Sequence, residues 1–142
     1  MLRRWLIPVT VMVLAGCANQ EPTPSPDGDG LFFPRHGSPL GVGDGALLEG
    51  ELAFAAGCLV VHAVDGTRFL PLWPADTEPG VINAQPVVFG PGTRLLAETG
   101  ITIRVGGGQV ADRAAAEELV GPIPERCAAD AFWGVSTVDT RP

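Results

Sequence analysis

The sequence predicts a mainly β domain, a small OB-like barrel of five or six strands with one short helix, which follows a disordered tether. Short β-branched or alternating apolar runs recur from Ala46 onward. Glycine, proline and Asp-Gly turn signals separate these runs. Ala111–Val120 differs from them, because its Ala, Glu and Leu content is typical of a helix, which Gly121 and Pro122 would end.

The first two predicted strands lie in the stretch ALLEGELAFAAGCLVVHAV, which begins at Ala46. Apolar residues alternate around Glu49 and Glu51, and a continuous β-branched run follows. Because strands of both patterns are short, we expect two of them, joined near Ala56-Gly57. Glu49 and Glu51 would project from one face, as the paired acids of a glycosidase do, and as any solvated face of a strand does.

A hairpin is predicted next. Asp65-Gly66 separates the apolar run Cys58–Val64 from Thr67–Trp73, and Asp-Gly between two such runs is a strong hairpin signal. The turn needs a positive φ, which glycine adopts at little cost.

Further strands complete the predicted domain. Pro74–Pro79 interrupts the sheet, and the runs VINAQPVVFG and RLLAETG are divided by Gly90-Pro91-Gly92. ITIRV, from Ile101, alternates cleanly, and Phe132–Val138 is the last predicted strand.

The N-terminus has the layout of a secretory signal peptide. Arg3 and Arg4 precede the apolar run Trp5–Gly16, which ends in small residues. A membrane-spanning helix needs roughly 20 apolar residues, and this run is shorter and contains Pro8. A cleaved leader is therefore favoured over a permanent transmembrane helix.

Leu14-Ala15-Gly16-Cys17 resembles the lipobox of bacterial lipoproteins. The resemblance implies that diacylglycerol is attached to the Cys17 thiol, that the chain is cut before Cys17, and that the acylated residue is held in a membrane by its acyl chains. It places the protein on the extracytoplasmic face of the cell membrane; with Ala18 next, the family's sorting rule would not retain it in a Gram-negative inner membrane. The later stretch GCLVV…LPLWP…GGG…IPERC…FW is similar to uncharacterised secreted domains of high-GC bacteria, a resemblance that implies no activity.

The chain is thus expected to have four parts: a cleaved signal peptide at 1–16, the lipidated Cys17 with a flexible tether at 17–30, an irregular lead-in at 31–45, and one small β-domain at 46–142. The tether is rich in proline and acidic residues and has no large apolar side chain to bury. In the lead-in, Phe32 or Phe33 is expected to dock on the core.

The net charge of the chain argues against a nucleic-acid partner. Removal of Arg3 and Arg4 with the leader leaves seven Arg against sixteen Asp and Glu, a formal charge of −9. A chain this acidic lacks the basic face that binds a phosphate backbone. The same balance argues against electrostatic adhesion to anionic lipid, which leaves the acyl chains as the membrane contact.

Cys58 and Cys127 remain once Cys17 is lipidated. In an oxidising compartment two such thiols most often pair. A reactive thiol is the alternative, but Cys58 lies in the apolar stretch AAGCLVV without a basic neighbour to activate it. A structural disulfide is therefore predicted.

Candidate functional residues are few. His36 and His62 are the only histidines and show no metal-ligand spacing, so neither a metal nor a cofactor is expected. No serine lies in a Gly-x-Ser-x-Gly motif. The triplet Gly106-Gly107-Gly108 lacks the residues of a nucleotide motif and indicates instead a glycine turn with close backbone approach.

The aromatic residues have two interpretations. They are needed for the core of so small a domain, which is the favoured interpretation, or they line a groove for a glycan or peptide. Trp73, Trp133 and His62 are the candidates for a binding surface.

These patterns predict a membrane-anchored cell-envelope lipoprotein with a non-catalytic domain that binds an envelope protein, peptide or glycan. The alternative is a small envelope hydrolase in which an acid acts with His62. That alternative requires His62 to lie within hydrogen-bond reach of a carboxylate in a concave pocket.

Overall fold

The computed structural model describes residues 30–139. The predicted signal peptide, Cys17 and the tether up to residue 29 lie outside the described residues, as do residues 140–142. The described chain is mainly β, as predicted, with one short helix. Its elements in chain order are β1 Ala46–Ala55, β2 Cys58–Ala63, β3 Arg68–Leu72, β4 Glu78–Ile82, β5 Gln85–Phe89, a 3-10 turn at Pro91–Thr93, β6 Leu95–Glu98, β7 Thr102–Val110, α1 Arg113–Val120 and β8 Ala131–Asp139.

Five strands form a closed ring in the order β1-β2-β3-β8-β7, with β7 pairing back to β1. All neighbours in the ring are antiparallel except β3 and β8, which run parallel. The parallel pair is possible because a long connection, which includes β4 to α1, separates the two strands in the chain.

The other three strands form a second sheet in the order β4-β5-β6. The ring has five strands, within the predicted five or six, but the described chain has eight in all, because the second sheet was not foreseen. Part of the difference comes from the run VINAQPVVFG, which holds the end of β4 and all of β5, joined by a tight turn at Asn83-Ala84. Both turn residues have positive φ, 51° and 62°, the conformation of a two-residue hairpin turn. That turn contains no glycine, so the usual hairpin signal is missing.

Side chains alternate between the two faces of each ring strand, so the buried residues form two clusters. The inner cluster contains buried residues at alternate positions of the ring strands, such as Leu52, Val61 and Val105, and Val88 and Ala97 join it from the second sheet. The outer cluster uses the intervening positions and lies on the other face of β2, β3 and β8. Its members are Cys58, Val60, Leu70, Leu72, Ala116, Ile123, Cys127 and Phe132.

The β2–β3 hairpin turns at the predicted Asp65-Gly66, but the loop includes Val64 as well. The Gly66 amide donates to the Ala63 carbonyl at 2.9 Å, and Gly66 has a φ of 88°. The Asp65 carboxylate accepts the Thr67 amide at 2.9 Å, and backbone and side-chain hydrogen bonds from Thr67 hold the pKa of Asp65 below its ordinary value. The hairpin is thus a three-residue loop with its glycine in the positive-φ position.

Residues 31–45, which we call the strap, lie against the ring. Parallel bridges join Phe32 to Cys58 and Arg35 to Trp73. Phe33 stacks on Trp73, with ring centroids 5.6 Å apart and planes 6° from parallel. The prediction that Phe32 or Phe33 docks on the core is confirmed for both, since Phe33 packs on the inner cluster and Phe32 on the outer one.

Candidate functional site

Trp73 and Trp133 do not form a surface. They are 0 % and 7 % exposed and both belong to the inner cluster. Trp133 meets Phe69 edge to face, with ring centroids 5.9 Å apart. The interpretation of these two residues as a binding surface is therefore wrong, and the core interpretation is correct. A ring of five strands needs large side chains to fill it, and these indoles occupy inward positions.

His36 is held by the backbone on both ring nitrogens. Its Nε2 lies 2.7 Å from the Val135 carbonyl oxygen, and its Nδ1 accepts the Ser38 amide at 3.2 Å. Because Nδ1 is the acceptor, Nε2 must carry the proton and donate to Val135. His36 therefore fastens the strap to β8, and neither of its nitrogens is available as a catalytic base.

His62 lies on the outer face of β2, where its side chain is exposed. It is directly opposite Glu51 of β1 and Arg68 of β3 in the strand register. Residues opposite each other in a sheet project from the same face, so these three side chains are neighbours. No hydrogen bond joins His62 to a carboxylate in residues 30–139.

A small pocket adjoins His62. Its volume is about 150 Å³, and its polar walls come from three elements: His62 on β2, Arg68 on β3, and Arg126 in the 121–130 segment. Three alanines and Val60 supply the apolar part of the lining. All three polar lining residues are able to carry positive charge, and the lining contains no acid.

Local contacts position the two arginines of this pocket. The backbone amide of Arg68 donates to Asp130 Oδ2 at 2.9 Å, while the Arg68 Nε lies 3.9 Å from the same oxygen. Arg126 Nη2 donates to the Gly30 carbonyl at 3.2 Å. Each guanidinium has five N–H donors, so these contacts leave donors free on both side chains.

Sequence reasoning named His62 but missed Arg68 and Arg126. The predicted two-residue turn at Asp65-Gly66 would place Ala63 opposite Arg68, whereas the observed loop, which is one residue longer, places His62 there. Arg126 precedes Cys127, and a Cys58–Cys127 disulfide brings it beside the β1–β2 turn. The predicted disulfide was therefore a signal for the position of Arg126, whereas the position of Arg68 depends on a turn that is one residue longer than predicted.

Cys58 and Cys127 form a disulfide, with their Cα atoms 5.5 Å apart. Both are fully buried in the outer cluster, at 0 % and 1 % exposure. The structural role predicted for the pair is therefore shown, and it fastens the 121–130 segment to the start of β2. The pocket lies beside this disulfide, which holds the segment that supplies Arg126.

Glu49, one of the two acids predicted to project from the same strand face, forms an ion pair with Arg104. Its Oε2 accepts Arg104 Nε at 2.5 Å across β1 and β7, and both side chains are about half exposed. Surface pairs of this kind contribute at most about 1 kcal/mol. Glu49 is thus a solvated cross-strand residue, while Glu51 remains beside His62.

Gly106-Gly107-Gly108 is not a turn, because all three residues lie within β7. A bulge shifts the β7–β8 register between Gly106 and Gly107. The predicted close backbone approach is present, since a Cβ on Gly107 would overlap the Gly134 carbonyl oxygen. The glycines thus let two strands meet closely.

Residues 30–139 contain no group of three or more His, Cys, Asp or Glu side chains that could hold a metal ion. Within the same range, the helix found is too short to cross a bilayer.

Comparisons with protein-family models, with curated proteins and with solved structures find no significant match to this chain.

Proposed function

We propose that this protein is a membrane-anchored cell-envelope lipoprotein whose ring of strands is a non-catalytic binding domain. The observation that carries the binding role is the pocket of His62, Arg68 and Arg126, which has free donors and no acid in its lining. The anchor rests on the Leu14–Cys17 motif and the basic, apolar leader before it. The buried disulfide suits an oxidising compartment outside the cytoplasm.

We further propose that the ring is an OB-like barrel. Numbered along the chain, its strands follow the order 1-2-3-5-4, and the third and fifth are parallel. Such barrels bind ligands on the face of strands 2 and 3 and at the loops between strands 1 and 2 and between strands 4 and 5. The pocket lies on β2 and β3, beside the Ala56-Gly57 turn between the first two strands and the 121–130 segment between the last two. This is an analogy of fold and names no ligand.

The anchor is tested by intact mass and membrane fractionation of wild type beside Cys17→Ala. We expect the wild type to carry diacylglycerol and to float with membranes, and the variant to do neither, because the thiol is the attachment atom. Asn19→Ala is the matched control, since it changes the tether without changing the motif. Equal, soluble behaviour of wild type and Cys17→Ala would refute the anchor.

The binding role is tested by crosslinking the anchored wild type in intact cells and identifying its neighbours by mass spectrometry. We expect a specific envelope protein, peptide or glycan to be captured by wild type and reduced when Arg68 and Arg126 are replaced by glutamine. Capture that is identical in wild type and in this double variant would remove the pocket from the proposal.

A hydrolase using an acid with His62 is the second candidate, and it is the weaker one because no carboxylate of residues 30–139 bonds to His62 or lines the pocket. The observation that favours it is the register, which places Glu51 directly opposite His62 beside the pocket. Replacement of His62 by alanine, or of Glu51 by glutamine, would then abolish hydrolysis of ester, glycan or peptide substrates by the purified chain. Activity unchanged by His62→Ala would end this candidate.

A further inference from the structure

We propose that the pocket of His62, Arg68 and Arg126 binds a phosphate group. This inference deepens the proposed binding role and rests on it. The three polar side chains come from β2, β3 and the 121–130 segment and line one pocket of about 150 Å³. Drug-sized ligands occupy pockets of roughly 300–1,000 Å³, so this one is suited to a single small group.

The donor set indicates an anion. Arginine forks and a histidine N–H match the oxygens of phosphate or carboxylate, and these charge-assisted hydrogen bonds are stronger than neutral ones. A carboxylate presents its two oxygens in one plane, whereas the oxygens of a phosphate point in three or more directions and so suit donors that come from three elements. A phosphate group, which presents three or more oxygens, is able to satisfy them together.

Arg68 and Arg126 differ from Arg104 and Arg113, although Arg35, like Arg126, donates to a backbone carbonyl. Arg104 is paired with Glu49 at 2.5 Å, and Arg113 binds Glu117 at 3.1 Å and the Ile123 carbonyl. By contrast, the closest carboxylate contact of Arg68 is 3.9 Å, to Asp130, and the hydrogen bond of Arg126 is to a backbone carbonyl. The pocket is therefore a local basic site on an acidic protein.

Acidic residues near the pocket set the strength of this site. Glu51 lies opposite His62, and Asp130 binds the Arg68 backbone. Neither residue lines the cavity. Asp130 partly neutralises Arg68 from outside, so removing its charge is expected to strengthen phosphate binding.

The pocket adjoins the place where the predicted tether joins the domain. Arg126 binds the carbonyl of Gly30, the last tether residue, and Cys17 is predicted to be in the membrane. Two sources of phosphate are therefore in reach: the headgroup of an anionic phospholipid, and a soluble phosphate ester. Both share the same chemistry and differ in whether the phosphate is part of a bilayer.

The soluble source is tested by calorimetric titration of the full-length protein in detergent with inorganic phosphate and with glycerol 3-phosphate. We expect saturable binding that Arg68→Gln/Arg126→Gln weakens by about tenfold or more. Arg94→Gln/Arg104→Gln is the matched control, because it removes the same charge away from the pocket, and its affinity should equal that of wild type. Asp130→Asn should bind phosphate several-fold more tightly.

The lipid source is tested by flotation of the chain carrying Cys17→Ala with vesicles of phosphatidylcholine, with or without phosphatidylglycerol. The leader and tether are the same in every variant on this background, so differences between variants report the pocket. Selective loss of phosphatidylglycerol binding in Arg68→Gln/Arg126→Gln assigns the site to lipid. Binding of the soluble phosphates alone assigns it to phosphate esters.

The inference is overturned if wild type does not bind soluble phosphate and the chain carrying Cys17→Ala shows no preference for phosphatidylglycerol vesicles that depends on the pocket, or if the pocket variant and the matched control lose binding equally. Weaker binding by Asp130→Asn would also contradict it, whereas a misfolded variant could not produce the tighter binding that we expect. Near-ultraviolet circular dichroism checks that the arginine variants are folded. Failure here would leave the anchor untouched, since the mass of the wild type tests lipidation separately.

Discussion

At the scale of single residues, Gly107 is the glycine of the described chain where an added side chain would be most crowded. It has a φ of 154° and lies beside the register shift in the β7–β8 pair. The position where its Cβ would be is taken by the Gly134 carbonyl oxygen, with Trp133 Nε1 2.9 Å away. The ring therefore closes here only because position 107 has no side chain.

Gly107→Ala is expected to lower the free energy of unfolding by about 3 kcal/mol or more, because the new methyl group would overlap the backbone of β8. Urea denaturation measures this loss. Gly134→Ala is the matched control on the partner strand. Its Cβ would be 3.7 Å from the Gly108 oxygen, an ordinary contact, so a change below about 1 kcal/mol is expected. Equal effects of the two variants would show that the contact at Gly107 is not what limits the substitution.

The role of a residue was predictable where the residue type alone decides it, and was not predictable where the role depends on the place of the residue in the fold. A large indole is core or surface according to which face of a strand it occupies, and Trp73 and Trp133 both fall on the inner face. His36 gave no sequence signal for its role, because its partners are carbonyl and amide groups of residues 135 and 38. Arg68 and Arg126 are 58 residues apart in the chain, and only the hairpin and the disulfide bring them to one pocket.

At the scale of elements, α1 has sharply defined ends. The Asp112 carboxylate accepts the Ala115 amide at 2.8 Å, and at the other end the Gly121 amide donates to the backbone carbonyl of Glu117. Glu117 also accepts the Ile123 amide at 3.3 Å, which connects the helix to the 121–130 segment. A helix of eight residues is too short to be stable alone, so these caps and the burial of Ala116 hold it in place.

Asp112→Ala is expected to lower the free energy of unfolding by about 1 kcal/mol, because an amide in the first turn of α1 loses its partner. Asp112→Ser keeps an oxygen at the cap and should preserve most of the stability. Urea denaturation followed by tryptophan fluorescence measures both variants. If alanine and serine are equally destabilising, the hydrogen bond to Ala115 is not the source of the effect.

Elements were predicted well where a local signal exists. The Asp65-Gly66 hairpin, the alternating β7 and the helix ending before Gly121 all follow from patterns within a few residues. The β4–β5 hairpin was missed because Asn83-Ala84 adopts a positive-φ turn without glycine. The sequence also could not show that the β4–β5 hairpin lies in a sheet separate from the ring, because pairing between distant strands leaves no local pattern.

At the scale of the whole molecule, one covalent link and one backbone segment connect the parts. The Cys58–Cys127 disulfide spans 69 residues and connects the start of β2 to the segment that supplies Arg126. The strap extends from Gly57 to β8. The Phe32 amide donates to the Gly57 carbonyl at 2.8 Å, and the Gly41 amide donates to the Ser136 carbonyl at 2.7 Å. The pocket wall, the strap and the ring are therefore expected to lose order together when the disulfide is broken.

Cys58→Ala/Cys127→Ala is expected to lower the free energy of unfolding by about 4 kcal/mol, because the unfolded chain loses a loop closure of 69 residues. Cys17→Ala is the control, since it leaves the pair intact and should unfold at the wild-type urea concentration. Reduced wild type lacks the cross-link but keeps both sulfur atoms. Its difference from oxidised wild type reports the cross-link, and its difference from the double variant reports the packing of the buried sulfurs. If oxidised wild type and double variant unfold at the same urea concentration, the ring alone stabilises the domain. The pocket would then be expected to keep its shape without the disulfide, because the 121–130 segment would still be held by Arg113 and the outer cluster.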